Sequence, residues 1–373
     1  MKMKVNKDEK NGTYWFVVSA GKDEDGKRRQ IKRRGFRTEK EAQKEMRKLL
    51  QQVDDNAYIK NTKLKYCDFL ENEWLTSKAL KVRDSTISNY RHIVKYHVSK
   101  YFHNHEIGKI TTQMVEKFYG YLANEKRLSE RTIQDVHKLL KNSFKMAVKR
   151  RYISHNPVED AEAPKVPRKE MQVWNLEETV RFLKVAESSD LYIAFVLAIT
   201  TGMRQSEALA VRWKDISLKE KSLHVRQTLS HDGKHLRQET KTKSSYRTIT
   251  LTDKAVEELT KHRKRIYEEK LRAGSAYQDN DLVICTKLGT PIIPRNLLRV
   301  FYSLMKKANV PRIPYHGLRH TMASLMLANG TNPKIVKEIL GHSGVKVTLD
   351  IYPHVLPTVH KETAKQYGDM LFG

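Results

Sequence analysis

Tyr315-His316-Gly317-Leu318-Arg319-His320-Thr321 is followed by Leu340-Gly341-His342-Ser343 and then by Asp350-Ile351-Tyr352. A histidine and an arginine three residues apart share one face of a helix, so His316 and Arg319 can address a single ligand group. Pro314 immediately upstream suits a helix start, and the free amides of a helix N-terminus favour a phosphate. His316 and His320 are also spaced as a helical metal pair. The zinc-protease pattern, however, needs glutamate after the first histidine, where this chain has Gly317, and no third ligand stands at a suitable spacing. His320 is therefore expected to pack behind the helix.

Working outward, Thr201-Gly202-Met203-Arg204-Gln205-Ser206-Glu207 runs into Leu209-Ala210-Val211-Arg212-Trp213. Arg204 is expected just past a helix that ends at Gly202, with Glu207 holding its side chain. A polar turn from Ser230 to Ser245 separates short strands near Arg212–Ile216, Leu223–Leu229 and Arg247–Leu251. Arg204, a lysine near position 243, His316 with Arg319, His342 and Tyr352, in that order over the last 200 or so residues, resemble the catalytic set of the tyrosine recombinases. Within that family the chain is most similar to integrases of Gram-positive phages and conjugative transposons.

The bulk properties agree with such a partner. The 373 residues carry a formal net charge of +28, with Lys and Arg spread along the chain, which favours a polyanion. A hydrophobic fraction of 39% is enough for folded cores. Cys67 and Cys285 are too few and too far apart for a disulfide framework or a cysteine-based zinc site. No apolar run is long enough to span a bilayer and the N-terminus lacks an apolar signal core, so the chain is expected to stay inside the cell; the resemblance implies the cytoplasm of a bacterial host, at the nucleoid.

The expected fold class is mixed α+β and mostly α, in three modules. Residues 1–55 read as a small β-sheet with one helix. Tyr14–Ser19 and Lys27–Phe36 form its strands, and Thr38 with Glu41 opens a helix carrying Ala42, Met46, Leu49, Leu50 and Val53. Its sheet would present Lys27, Arg28, Arg29, Lys32, Arg33 and Arg34 beside Trp15, a combination suited to a major groove and its phosphates. Residues 56–155 read as four helices: one marked by Tyr66, Phe69, Leu70, Trp74 and Leu75, and others opened by Ser85, Thr111 and Ser129. Lys138, Lys141, Lys145 and Lys149 line the outer face of the last, where like charges repel unless phosphates neutralise them. Residues 156–170, with Pro157, Pro164 and Pro167, read as an extended basic linker. Residues 171–373 form a mainly helical third domain with a small antiparallel sheet. Asn175 and Glu178 form a capping pair, Asp190 begins a helix, and Leu282–Cys285 is a candidate strand.

The resemblance implies that these modules are an arm-type DNA-binding domain, a core-binding (SAM-like) domain and a catalytic domain with a C-terminal tail. It also implies roles. Arg204 and Arg319 would stabilise charge on an attacked phosphodiester, since guanidinium groups are always charged and fork-shaped. Tyr352 would be the nucleophile, forming a 3′-phosphotyrosyl ester. His316 would accept or orient its proton, His342 would donate to the phosphate, and Lys243, with Lys241 as second choice, would protonate the leaving oxygen. No cofactor, divalent metal or ATP is required on this reading. The implied partners are double-stranded DNA at core and arm attachment sites, three further copies of the chain in a tetramer that passes through a Holliday junction, and an excisionase or DNA-bending accessory protein. The tail after Tyr352, with Val355, Leu356, Val359, Tyr367, Met370, Leu371 and Phe372, could dock on a neighbour or cover its own domain. Two other readings remain at this point: a type IB topoisomerase, which shares the catalytic set, and a non-enzymatic DNA-binding regulator.

Overall fold

In the computed structural model, residues 4–22, 28–54, 63–167, 171–238, 246–341 and 367–372 are described. The chain forms two compact units, Met1–Arg168 and Lys169–Gly373.

The first unit begins with an antiparallel sheet of β1 (Asn6–Asp8), β2 (Thr13–Lys22) and β3 (Arg28–Phe36), in that spatial order. Side chains alternate across a strand. Phe16 and Val18 of β2 and Ile31 of β3 therefore share the face covered by α1 (Glu39–Asp54), where they meet Ala42 and Leu49. Trp15 pairs with Arg34 and Val17 with Lys32 on the opposite face, and the Lys32 ammonium lies 4.0 Å from the centroid of the Trp15 ring. Arg33 differs from its neighbours. It lies opposite Phe16, so it falls on the α1 side of the sheet, although its side chain reaches solvent. The Thr38 hydroxyl accepts from the Glu41 amide, while the Glu41 carboxylate reaches the amide of Arg37.

The four expected helices follow, two of them interrupted by a π-helical turn. The first is α2 (Tyr66–Phe69), a π turn over Leu70–Trp74, and α3 (Leu75–Ala79). The second is α4 (Asp84–Ile93), a π turn over Val94–Val98, and α5 (Ser99–Phe102). Then come α6 (Thr112–Asn124), capped by Thr111, and α7 (Glu130–Lys149), capped by Ser129. Ser85 is not a cap, because the helix already begins at Asp84 after the extended Arg83. Tyr66 anchors the core by stacking on Phe144 at 4.4 Å, and its buried hydroxyl pairs with Ser143 at 2.6 Å. Lys138, Lys141, Lys145 and Lys149 are all exposed along α7.

The stretch expected to be linker from 156 onward is packed at its start. Val158 and Ala161 are buried against the bundle core, and the Asn156 side chain donates to the Lys141 carbonyl while accepting from the Val158 amide. An asparagine that closes its own turn and bonds a helix carbonyl anchors the chain without any helical apolar period, so spacing does not reveal it.

The second unit is built on α9 (Tyr192–Thr201), whose residues are nearly all buried. Around it pack α8 (Leu176–Ala186), α11 (Asp253–Ala273), α12 (Pro294–Ala308) and α13 (Tyr315–Ala328), with α10 (Gln205–Ala208) and α14 (Pro333–Leu340) at the ends of α9 and α13. Asn175 and Glu178 close a reciprocal capping box. The helix expected from Asp190 starts at Tyr192. Trp174, Phe182, Phe195, Phe301 and Tyr315 form the aromatic centre, and the Tyr315 hydroxyl donates to the Ala194 carbonyl at 2.9 Å. Strands β4 (Ile216–Ser217), β5 (Ser222–Val225) and β8 (Arg247–Thr250) form one antiparallel sheet; β6 (Gln227–Leu229) and β7 (Leu236–Gln238) form a hairpin. The turn expected over Ser230–Ser245 thus contains a strand, which folds back through Gly233 at φ 73°. Leu282–Cys285 makes isolated bridges to Arg212 and Pro291 instead of a strand. Residues 367–372 are helical, with Tyr367, Met370, Leu371 and Phe372 exposed.

Candidate active site

Gly202 ends α9 in the left-handed region, at φ 61°, a conformation that glycine adopts without steric cost. A Cβ there would lie 2.6 Å from Leu340 Cδ2 and 3.2 Å from Met322 Sδ, so the backbone turn is packed against α13 and α14. Its carbonyl accepts a 2.7 Å hydrogen bond from Arg319 Nη1, and Arg319 Nη2 reaches the Leu340 carbonyl at 2.5 Å. Arg319 therefore bridges the C-terminal ends of α9 and α14, where a cation complements both helix dipoles. Only 1% of it is exposed.

Two residues beyond Gly202, Arg204 keeps 42% of its side chain exposed and pairs with Glu207, whose side chain is buried, at 2.6 Å. Glu207 also accepts from the Arg204 amide at 2.9 Å. A second guanidinium, Arg247, lies against the same carboxylate at 2.7 and 3.4 Å and donates through Nε to the Ile339 carbonyl at 2.7 Å. Burial alone would raise the Glu207 pKa. The Arg247 hydrogen bonds and charge, joined by Arg204, overturn that and hold it at about 2, against an ordinary 4.5.

A carboxylate whose folded pKa lies below its unfolded one stabilises the fold above about pH 4.5 and loses that contribution as pH falls toward 2. The gap corresponds to about 3 kcal/mol. Glu207→Gln should therefore show a weaker loss of unfolding free energy between neutral and acid pH than the parent in urea titrations. Identical acid dependence in the two proteins would mean that the carboxylate is not held as described.

His316 lies near the start of α13 with an accessible edge, its ring 4.7 Å from that of His320 and perpendicular to it. Partial desolvation, then the positive charges of Arg319 and Arg204, push its pKa below the ordinary imidazole value despite the pull of Glu207. Near neutral pH that favours an uncharged ring able to accept a proton. His320 is buried, as expected of a packing residue. No group of three or more metal-ligating side chains occurs among the described residues.

Of the six residues expected in the centre, Arg204, His316 and Arg319 come together here. Lys243, with its alternative Lys241, and His342 and Tyr352 lie outside the described residues. Of their described sequence neighbours, β8 begins at Arg247 and α14 ends at Leu340, before Gly341. In the N-terminal module Lys27 lies outside the described residues, and Arg28 and Arg29 are described only as β3 backbone.

Arg247 is the residue at this site that sequence reasoning did not single out. Its signal was strand alternation: Ile249 is buried and Arg247 shares its phase, so a charged residue occupies an inward-facing strand position. Such a position requires a buried partner.

Residues 172–358 match the phage integrase family, 4–53 an arm DNA-binding domain and 65–165 a phage integrase SAM-like domain. The chain is 28% identical to a tyrosine recombinase XerC-like protein of Caldanaerobacter subterraneus, over 97% of each chain. It is 29% identical to the ICEBs1 integrase of Bacillus subtilis, over 97% of this chain and 98% of that one. Among solved structures it shares the fold of the Tn1549 transposon integrase in complex with a circular intermediate DNA, with a TM-score of 0.68, 19% identity, and coverage of 80% of this chain and 98% of that one.

Proposed function

The chain belongs to the phage integrase family, and on that premise we propose how it performs site-specific recombination of a mobile element. Arg204, Arg319 and His316 converge at the ends of α9, α13 and α14, and this convergence is the observation that carries the reading.

Attack on a phosphodiester builds negative charge on the nonbridging oxygens, and preorganised guanidinium groups meet it without reorganisation. Arg204, exposed and braced by Glu207, meets that charge directly, and the buried Arg319 adds its positive charge while holding the Gly202 and Leu340 carbonyls. Tyr352 supplies the attacking hydroxyl. Its oxygen bonds to phosphorus, the bond to the 5′ oxygen breaks, and a 3′-phosphotyrosyl ester remains. Neutral His316 takes or orients the phenolic proton, His342 donates to the phosphate, and Lys243, or Lys241 in its place, delivers a proton to the departing oxygen. A 5′ hydroxyl from the partner strand then reverses these steps. The ester conserves the energy of the cleaved linkage and side chains carry the charge, so neither ATP nor a divalent metal is needed.

Around this centre, residues 171–373 serve as the catalytic domain, 56–155 grip the core site through the α7 lysines, and 1–55 bind arm sites through the Trp15, Lys32 and Arg34 face. That the Tn1549 integrase was solved in complex with a circular intermediate DNA supports DNA as the partner. Four copies exchanging two strands at a time through a Holliday junction, aided by an excisionase or bending protein in the bacterial cytoplasm, complete the proposal.

The test is covalent trapping on nicked DNA spanning the element's attachment sites, with EDTA present and nucleotide absent, followed by strand exchange between two sites. An adduct together with exchanged products is the expected outcome. Adduct and supercoil relaxation without exchange would move the assignment to a topoisomerase, and tight binding with no adduct to a DNA-binding regulator.

A further inference from the structure

Arg247 is joined to three parts of the centre at once. Its side chain is 6% exposed, and all of its described bonds go inward: two to the Glu207 carboxylate and one, through Nε, to the Ile339 carbonyl. Glu207 in turn takes two hydrogen bonds from Arg204, on its side chain and its amide. The carboxylate has about four acceptor positions, and two guanidinium groups and one amide occupy them. Ile339 belongs to the last turn of α14, whose following carbonyl, that of Leu340, holds Arg319. Arg247 itself is the first residue of β8, directly downstream of the segment that carries Lys241 and Lys243.

We propose that Arg247 is a positioning residue for strand cleavage: one guanidinium sets Arg204 through Glu207, sets the end of α14 that leads to His342, and anchors the strand that follows the catalytic lysine. This rests on the recombinase reading above. Arg247 touches no reacting atom. With its fork filling one side of Glu207, the carboxylate cannot take up both edges of Arg204, and the rest of that guanidinium stays available at the surface. Without the fork, Arg204 turns inward to satisfy the buried carboxylate, and the end of α14 loses its tie to β8. The fork geometry is essential, because a lysine ammonium brings the charge but cannot bond the carboxylate through two parallel N–H groups while also reaching Ile339.

The test compares the intact protein with Arg247→Met and Arg247→Lys for single-turnover adduct formation on a nicked attachment-site duplex, with DNA affinity measured alongside. Displacement of catalytic groups by about an ångström costs ~100-fold in rate, so the Met variant should cleave ~100-fold more slowly at unchanged DNA affinity. The Lys variant should fall between, and added guanidinium ion should restore part of the Met variant's rate. A purely structural role would lower DNA binding and folded fraction together and give no such rescue. Should the Met variant fail to fold, the Lys variant decides: slower cleavage at parental affinity supports the proposal, and parental cleavage overturns it. Parental cleavage by the Met variant overturns it as well. Absence of adduct from the intact protein would instead remove the recombinase reading on which it rests.

Discussion

Protein carrying Tyr352→Phe is expected to bind an attachment-site duplex with parental affinity and to form no covalent adduct with it. Phenylalanine keeps the ring and removes only the hydroxyl, so nothing remains to bond phosphorus, while the guanidinium groups and the basic faces proposed to hold DNA are unchanged. The loss should be complete within detection, because a phenyl ring offers no oxygen that can form an ester with phosphorus. Denaturing gels of end-labelled nicked duplex read the result directly. An adduct of undiminished yield from the Phe variant would remove Tyr352 from the centre and pass the role to another tyrosine, Tyr367 being the one remaining downstream.

Gly202→Val is the second large effect, and it acts on fold and chemistry together. At φ 61° a β-branched residue is strained, which costs on the order of 1–3 kcal/mol. Its Cβ would also stand 2.6 Å from Leu340 Cδ2, and overpacking of that kind costs about 1–3 kcal/mol more. Relief requires the Leu340 and Met322 side chains to shift, and any movement of the backbone beneath them disturbs the carbonyls of Gly202 and Leu340, both of which accept from Arg319. The expected result is a melting temperature lowered by several degrees, consistent with a loss of that size, and a cleavage rate reduced further than unfolding at the assay temperature explains. A variant that melts and cleaves like the parent would show that the Gly202 turn is not under the packing constraint described.

Much of this arrangement could be read from the chain because its signals are local. Thr111, Ser129 and Asn175 each cap the helix that follows. Gly202 closes α9 where its αL geometry requires glycine, and His316 and Arg319 share α13 at helical spacing. What escaped has non-local causes. Strand β7 is three residues long and exists only through its pairing with β6, so the polar composition of its surroundings hides it. Asn156 anchors the end of the helical bundle by two hydrogen bonds, which no apolar period announces. Arg247 shares the phase of Ile249, but it looks like one more positive charge in a strongly basic chain because the buried partner it needs, Glu207, is distant in sequence. The side of the sheet on which Arg33 lies follows from its alternation with Ile31, a signal masked by the basic residues on either side of it.

The Arg319 bridge also has a consequence for synthesis. Its two anchoring carbonyls come from α9 and α14, and the guanidinium that joins them comes from α13, so the centre cannot exist on the ribosome until the last of these helices has emerged. The two N-terminal modules are complete well before then. A chain interrupted by a nonsense mutation or by proteolysis between α9 and α13 would keep the surfaces proposed to grip DNA and lack the means to cut it.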